Sequence, residues 1–452
     1  MFLYLSADPG IDVEKPTGGG SHIHGTISQL RKMGHRVILV APGNESTGEG
    51  CDFLPVEKHC WFKFLLRVKS FFSAEQKDKQ THPAQVSFTG VQSKDGKGRV
   101  QGNSKSGPIL SGRIKNRLVY FFYGSFRHHL NRFEETTVYK LRFKNAVKHC
   151  IEQERPDGVY ERYALGHYGM QRLCRSKKIP HILEVNALLA NESRKEHGPA
   201  LISLGSREKE LKFLRSADCV FVVSEQLKAD IAPEKASIIV NPNGVDTVLF
   251  DPDRVPDDIR KIHGIVQPYV VGWVGSFSLG RGIDAFLDIA EKLMLIQTDI
   301  CFLIVGNGPL KQWVENQIQA RGLQESVVLP GAVPRQKVPL YIAAMDIALA
   351  PYPESGAAYF SPLKVFEYMA MGKAIAATDM GQCSTLLKEG AGLLLPDGEP
   401  CLWAEKIKQL LHSSQECLAM GEKARQRVLS DYTWEKNALR ILQQFARIGK
   451  GD

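Results

Sequence analysis

Twelve short, largely apolar runs, separated by stretches long enough for a helix, constrain this 452-residue chain more than any other feature. They fall at residues 2–6, 36–40, 158–160, 181–185, 219–223 and 237–240, and again at 269–274, 300–305, 327–329, 347–350, 374–377 and 393–395. Runs that are apolar throughout, rather than alternating, belong to strands covered on both faces. The segments between them carry helical spacing, as in Ile23, Ile27, Leu30 and Met33, with Gly34 as a stop. Strands alternating with helices predict parallel sheets in doubly wound α/β domains. The two series are divided by a polar, Pro-containing stretch at 251–260, and the chain exceeds the usual single-domain size. Two such domains are therefore expected, with ligands at the carboxyl ends of the strands.

Composition narrows the class. The chain is 43% hydrophobic and 24% charged, as in ordinary globular proteins. Its nine cysteines are scattered, odd in number and without Cys-x-x-Cys spacing. That argues for reduced thiols in the cytoplasm and against a disulfide framework or zinc site. No apolar run approaches the ~20 residues of a membrane span, and the opening run lacks the basic flank of a signal peptide. The histidines lack metal-ligand spacing apart from the close pairs His22, His24 and His128, His129. The Asp-x-Asp at Asp251 and Asp253 lies in the linker and reads as a turn, so no metal is expected.

The net charge of +9 is unevenly placed. Residues 51–150 hold 19 Lys plus Arg against 7 Asp plus Glu, which leaves the rest of the chain slightly acidic. Trp61, Phe62, Phe64 and Phe71 mix with Lys58, Lys63, Arg67 and Lys69, and Tyr120, Phe121 and Phe122 with Arg113, Lys115 and Arg117. This composition predicts contact with an anionic membrane surface through residues 58–132. A pair of core helices with solvated charged faces is the alternative. Residues 76–111 are rich in Gly, Ser, Lys and Gln and predict disorder. No nucleic-acid-binding motif accompanies the charge, so no nucleic-acid partner is expected.

Residues 359–378 carry the chemistry. Ser361 is predicted to cap a helix, Pro362 to take its first position, and Gly372 to end it in a left-handed turn before a buried strand. A helix start of this kind attracts anions through its N–H groups and dipole. Glu367, just over one turn inside, is spaced to accept hydrogen bonds from sugar or ribose hydroxyls. A phosphate site beside such a carboxylate suggests a nucleotide sugar.

This segment resembles the donor signature of retaining glycosyltransferases of family four, in the bacterial polysaccharide-type version with Ser361, Pro362, Leu363 and Lys364. The resemblance implies the GT-B fold, two Rossmann-like domains facing across a cleft. The family's pattern is a pair of glutamates separated by seven residues. Glu367 matches the second, which binds the ribose. The first falls on Tyr359, where this chain departs, and Glu354 lies five residues earlier. The loop from Gly275 to Gly282 resembles the one set against the diphosphate, which implies Arg281 as one cation and Lys364 as a second. Ser276 and Ser278 stand where relatives often have arginine. Gly306 and Gly308 resemble the family's donor-site turn. They lack the third glycine of a dinucleotide fingerprint, so no nicotinamide cofactor is implied. Val333 lies in the segment whose backbone approaches the nucleobase.

On the acceptor side, Gly18, Gly19 and Gly20 resemble the loop that approaches substrate or donor phosphate, with a plain tight turn as the alternative. Asn186 occupies a position where many relatives have histidine, and suits a hydrogen bond to the transferring sugar. Glu184 and Glu161 read either as acceptor-side carboxylates or as groups buried with Arg162. Ser224 and the run Asn241 to Asp246 resemble elements before the linker, and residues 431–438 a closing helix that crosses back onto the first domain.

The resulting expectation is an acceptor-side domain at 1–250 with an insertion at about 51–135, a linker at 251–260, a nucleotide-sugar domain at 261–430 and a returning helix at 431–452. The resemblance implies an enzyme, and the composition of residues 58–132 places it at the inner face of the membrane. It would move a hexose-type sugar from a nucleoside diphosphate to a glycan or lipid-linked acceptor with retention, using no cofactor beyond that co-substrate. In this scheme a donor phosphate oxygen acts as the base. The rival readings are a sugar-nucleotide epimerase of the same fold and a catalytically weakened membrane-binding scaffold. Nothing in the sequence selects the base, sugar, acceptor or linkage.

Overall fold

The computed structural model describes residues 1–8, 18–42, 52–56, 139–189, 207–232, 237–256, 258–354 and 361–450. The basic segment 58–132 and Tyr359 lie outside them. Met1–Pro55 and Lys144–Asp452 form one compact unit that carries both sheets, and Val56–Phe143 separates as another.

The first sheet contains β1 (Phe2–Ser6), β2 (Val37–Pro42), β3 (Asp52–Val56), β4 (Gly158–Arg162), β5 (His181–Val185), β6 (Val220–Val222) and β7 (Ile238–Val240), in the order β3-β2-β1-β4-β5-β6-β7. The second contains β8 (Tyr269–Ser276), β9 (Ile300–Asn307), β10 (Val327–Gly331), β11 (Ile347–Ala350), β12 (Ala374–Thr378) and β13 (Leu393–Leu395), in the order β10-β9-β8-β11-β12-β13. Neighbours in the second sheet are parallel throughout. The order reverses between β1 and β4 and between β8 and β11. In such folds ligands bind outside the carboxyl ends of the strands at reversals of this kind.

Strand burial explains the continuous apolar runs. Along β9, Cys301, Leu303 and Val305 enter one core while Ile300, Phe302 and Ile304 enter the other. Both faces are covered, so period-two alternation disappears. Two departures from the sequence reading follow from local chemistry. β3 was not anticipated, because Asp52 and Pro55 obscure it; a proline is tolerated at the sheet edge, which is where β3 lies. β8 and β9 also run further than expected, pairing Gly275 with Gly306 and Ser276 with Asn307. Gly275, expected in the loop after the strand, is therefore a strand end like Gly306, while Gly282 and Gly308 lie beyond the strands.

The final helix, Trp434–Lys450, packs on the helix Gly18–Lys32 and enters the first sheet's core through Ala438, Ile441 and Phe445. Phe445 stacks on Phe2 with ring centroids 4.9 Å apart. A Cβ at Gly158 would lie 2.6 Å from the Phe445 ring, and one at Gly25 would lie 2.5 Å from Trp434. Small residues at these two points let the helix dock. In the linker, Asp251 caps a short turn at Pro252–Arg254 and receives Arg425 at 3.1 Å, so its carboxylate is paired within the protein.

Candidate functional site

At the second sheet's reversal, the ends of β8 and β9 and the chain after β11 crowd together. A Cβ on Gly306 (φ +149°) would sit 1.8 Å from the Gly275 carbonyl oxygen, and one on Gly282 (φ +81°) 2.2 Å from that of Pro351. At Gly308 it would meet the Phe277 carbonyl oxygen at 2.5 Å. Close backbone approach between neighbouring segments thus requires these glycines before any ligand arrives. Arg281 lies exposed on this rim, just before the helix Ile283–Met294.

Helix Leu363–Ala370 starts beside them. Pro362 (φ −80°, ψ 94°) precedes it rather than taking its first position, and no side chain caps it. The expected cap at Ser361 fails for a tertiary reason. Its hydroxyl accepts from the Asn243 N–H at 3.0 Å and donates to Gln382 Oε1 at 2.6 Å. The far end follows expectation, with Gly372 left-handed at φ +61°. Leu363 is half-buried at the first helical position, and Val333 packs at the edge of the same core.

Lys364 places its Nζ 3.8 Å from the centroid of the Trp273 ring and 3.4 Å from the Arg281 carbonyl oxygen. A Cβ on Gly275 would approach this ammonium to 3.0 Å. Desolvation, aided by the charge of Arg281, pushes the lysine well below its usual pKa, although Glu367 opposes the shift. Glu367 is buried, and its Oε1 accepts from Arg335 Nη1 at 2.9 Å. Burial raises its pKa, while Arg335 and Lys364 pull it down. The Arg335 guanidinium lies 5.2 Å from the Phe250 ring centroid. Sequence reasoning missed Arg335, although the segment ending one residue earlier had been singled out for its backbone. Glu354 is exposed nearby, with its N–H bonded to Asp397. Cations, a buried carboxylate and an uncapped helix start together can hold a diphosphate at one end and hydroxyls at the other.

In the first sheet, Gly18, Gly19 and Gly20 form the opening turn of a helix rather than a loop. That turn leads into His22, a buried residue whose role the sequence did not reveal. His22 Nε2 lies 2.8 Å from Glu184 Oε2, and Nδ1 lies 2.5 Å from Asn243 Oδ1. Glu184 also accepts from the Tyr160 hydroxyl at 2.7 Å, from Arg162 at 3.2 Å and from the Asn186 amide. Burial works against its charge, but His22 and Arg162 outweigh it and hold its pKa down to about 2. Of the two sequence readings for Glu184, pairing with Arg162 is the one the geometry displays. Glu161 pairs instead with His181 at 2.8 Å, both buried. Asn243 Nδ2 then donates to the Ser361 carbonyl at 2.9 Å, and Gln382 Nε2 to the Val223 carbonyl at 3.0 Å. The first sheet's charged cluster is thereby joined to the start of the Leu363–Ala370 helix.

Among the described residues, no helix is long and apolar enough to cross a membrane, and no group of three or more His, Cys, Asp or Glu is arranged to hold a metal ion.

Two family models match different stretches of the chain. "Glycosyltransferase Family 4" covers residues 113–249, and "Glycosyl transferases group 1" covers residues 268–413. The D-inositol 3-phosphate glycosyltransferase of Corynebacterium urealyticum is 28% identical over 52% of this chain and 58% of its own length. The 2-deoxystreptamine glucosyltransferase of Streptomyces kanamyceticus is 26% identical over 52% of this chain and 62% of its own. The chain thus spans about three fifths of these relatives' lengths. Among solved structures, sucrose-phosphate synthase from Thermosynechococcus elongatus superposes with a TM-score of 0.66 at 18% identity, over 100% of this chain and 99% of that one. Anabaena HepE in complex with UDP gives 0.62 at 16% identity, over 99% of each chain. The fold is GT-B.

Proposed function

We propose that this chain, a GT-B protein of the family 4 and group 1 glycosyltransferase type, moves a sugar from a nucleoside diphosphate donor to a glycan or lipid-linked acceptor with retention of configuration. The observation that carries the reading is the meeting of Lys364, the Arg281 loop and Glu367 at the β8/β11 reversal. Lys364 and Arg281 neutralise the diphosphate, helped by the dipole of the helix that Leu363 opens. Glu367 accepts hydrogen bonds from the ribose, and the backbone at Val333 borders the base. As the sugar–phosphate C–O bond breaks, the two cations stabilise the departing diphosphate. The acceptor oxygen forms its bond to the anomeric carbon on the same face and gives its proton to the leaving phosphate oxygen. No nucleophilic side chain and no metal take part.

Asn186, held by Glu184, faces the sugar from the first sheet, and the helix turn that Gly18 and Gly19 open borders the substrates. The name of the Corynebacterium relative, with its inositol phosphate, and the UDP in the HepE structure support a nucleotide donor and a polar acceptor. The composition of residues 58–132 supports contact with anionic lipid, which would bring a lipid-linked acceptor to the site.

Thermal stabilisation by UDP, GDP, ADP and their sugar conjugates tests the donor site. Binding at ~100 times the dissociation constant should add about 2.7 kcal/mol. Indifference to the whole panel, or turnover unchanged by Glu367→Ala, would sink the assignment. Product of inverted configuration would sink the mechanism.

A further inference from the structure

We infer that Arg335 is a positioning residue for Glu367. It holds the buried carboxylate ionised and turned so that its second oxygen can accept the ribose diol. The inference rests on the donor-site reading above and adds a residue to it.

The geometry carries the argument. Glu367 sits on a helix that packs into the core, with its side chain 9% exposed. A lone carboxylate in such a place favours its neutral form. Arg335, on the short turn after β10, meets Oε1 at 2.9 Å. Its guanidinium lies over Phe250, which limits where it can point. The charged or titratable groups that bear on Glu367 are Arg335, Lys364, Tyr352 and Tyr368. Of these, Arg335 alone has a hydrogen bond to its carboxylate among the described contacts. Lys364 is turned towards Trp273 and the Arg281 carbonyl. One oxygen committed to a fixed guanidinium leaves the other for hydroxyl donors, and the charge makes it a strong acceptor. Without Arg335, burial pushes the carboxyl towards its protonated form, which presents an O–H where an acceptor is needed.

The test uses the full chain, with Arg335→Met, Arg335→Lys and Glu367→Gln. Titration with UDP, GDP and ADP from pH 5.5 to 9 reads affinity, and thermal unfolding without nucleotide reads folding. Arg335→Met should weaken nucleotide binding roughly ten- to hundred-fold near neutral pH. Relative to wild type at the same pH, it should recover as pH rises and Glu367 ionises, whereas Arg335→Lys should stay close to wild type throughout. Glu367→Gln should be weak at every pH. Arg335→Met binding that is lost equally at all pH values, in a protein that unfolds normally, would make Arg335 a direct ligand contact and overturn the inference. Affinity equal to wild type throughout would overturn it as well. Wild-type protein that binds none of UDP, GDP and ADP would overturn the donor-site reading itself, and the positioning role with it.

Discussion

Replacing Glu184 by glutamine keeps the side chain's shape and removes its charge, which leaves His22 and Arg162 facing a neutral amide. The wild-type carboxyl is drawn from 4.5 down to about 2. At 1.36 kcal/mol per unit, that displacement corresponds to about 3 kcal/mol of folding stability. The sign follows from the direction. A carboxyl depressed in the folded state binds its proton more readily when unfolded. Its contribution is therefore complete above the unfolded value and drains away as pH falls towards 2. Near pH 7 the wild type should exceed Glu184→Gln by about 3 kcal/mol, and near pH 3 by only about 1 kcal/mol. Urea unfolding by tryptophan fluorescence suits the measurement, because the Trp434 ring lies 5.1 Å from that of His22. A difference that stays flat between these pH values, or a variant as stable as wild type at pH 7, would refute the charge-network argument.

Other substitutions separate packing from chemistry. Phe445→Ala should cost about 3–5 kcal/mol in chemical denaturation, because it empties the ring's place against Phe2 and Gly158. Gly306→Ala should destabilise by at least about 2 kcal/mol, since its Cβ meets the Gly275 carbonyl; a neutral result would break the close-packing account of these glycines. Ser361→Ala should cost about 1–2 kcal/mol by leaving the Asn243 N–H without its partner, and asparagine at 361, a good cap elsewhere, should not restore it. Because Lys364 is held well below its usual pKa, a bound diphosphate should raise it again. Calorimetry of nucleotide binding at alkaline pH, in buffers of different ionisation enthalpy, should therefore show proton uptake that Lys364→Met abolishes.

The strands of both sheets were legible because burial on two faces writes an uninterrupted apolar run, as in Ile300 to Val305. β3 was illegible because edge position tolerates Asp52 and Pro55. Helix Leu363–Ala370 and its stop at Gly372 could be read from local rules, since a left-handed turn needs only local chemistry. The cap could not. Ser361 obeys the cap preference in composition, but its partners are Asn243, 118 residues away, and Gln382. The same limit hid His22 and Arg335, whose meaning arises only when their carboxylates arrive from other elements.

These long-range partners change how the two halves of the site relate. Ser361 immediately precedes the helix that bears Lys364 and Glu367, and Asn243 grips it by both backbone N–H and side-chain amide. Asn243 in turn faces His22, and His22 faces Glu184, which holds Asn186. A hydrogen-bonded chain therefore runs from the residue proposed to touch the sugar to the start of the helix proposed to hold its diphosphate. Each member is buried or partly buried, so an unmade bond would leave a desolvated polar group. The arrangement favours one placement of the helix start relative to the first sheet. The hydroxyl that a purely local capping rule assigns to the helix serves that registration instead.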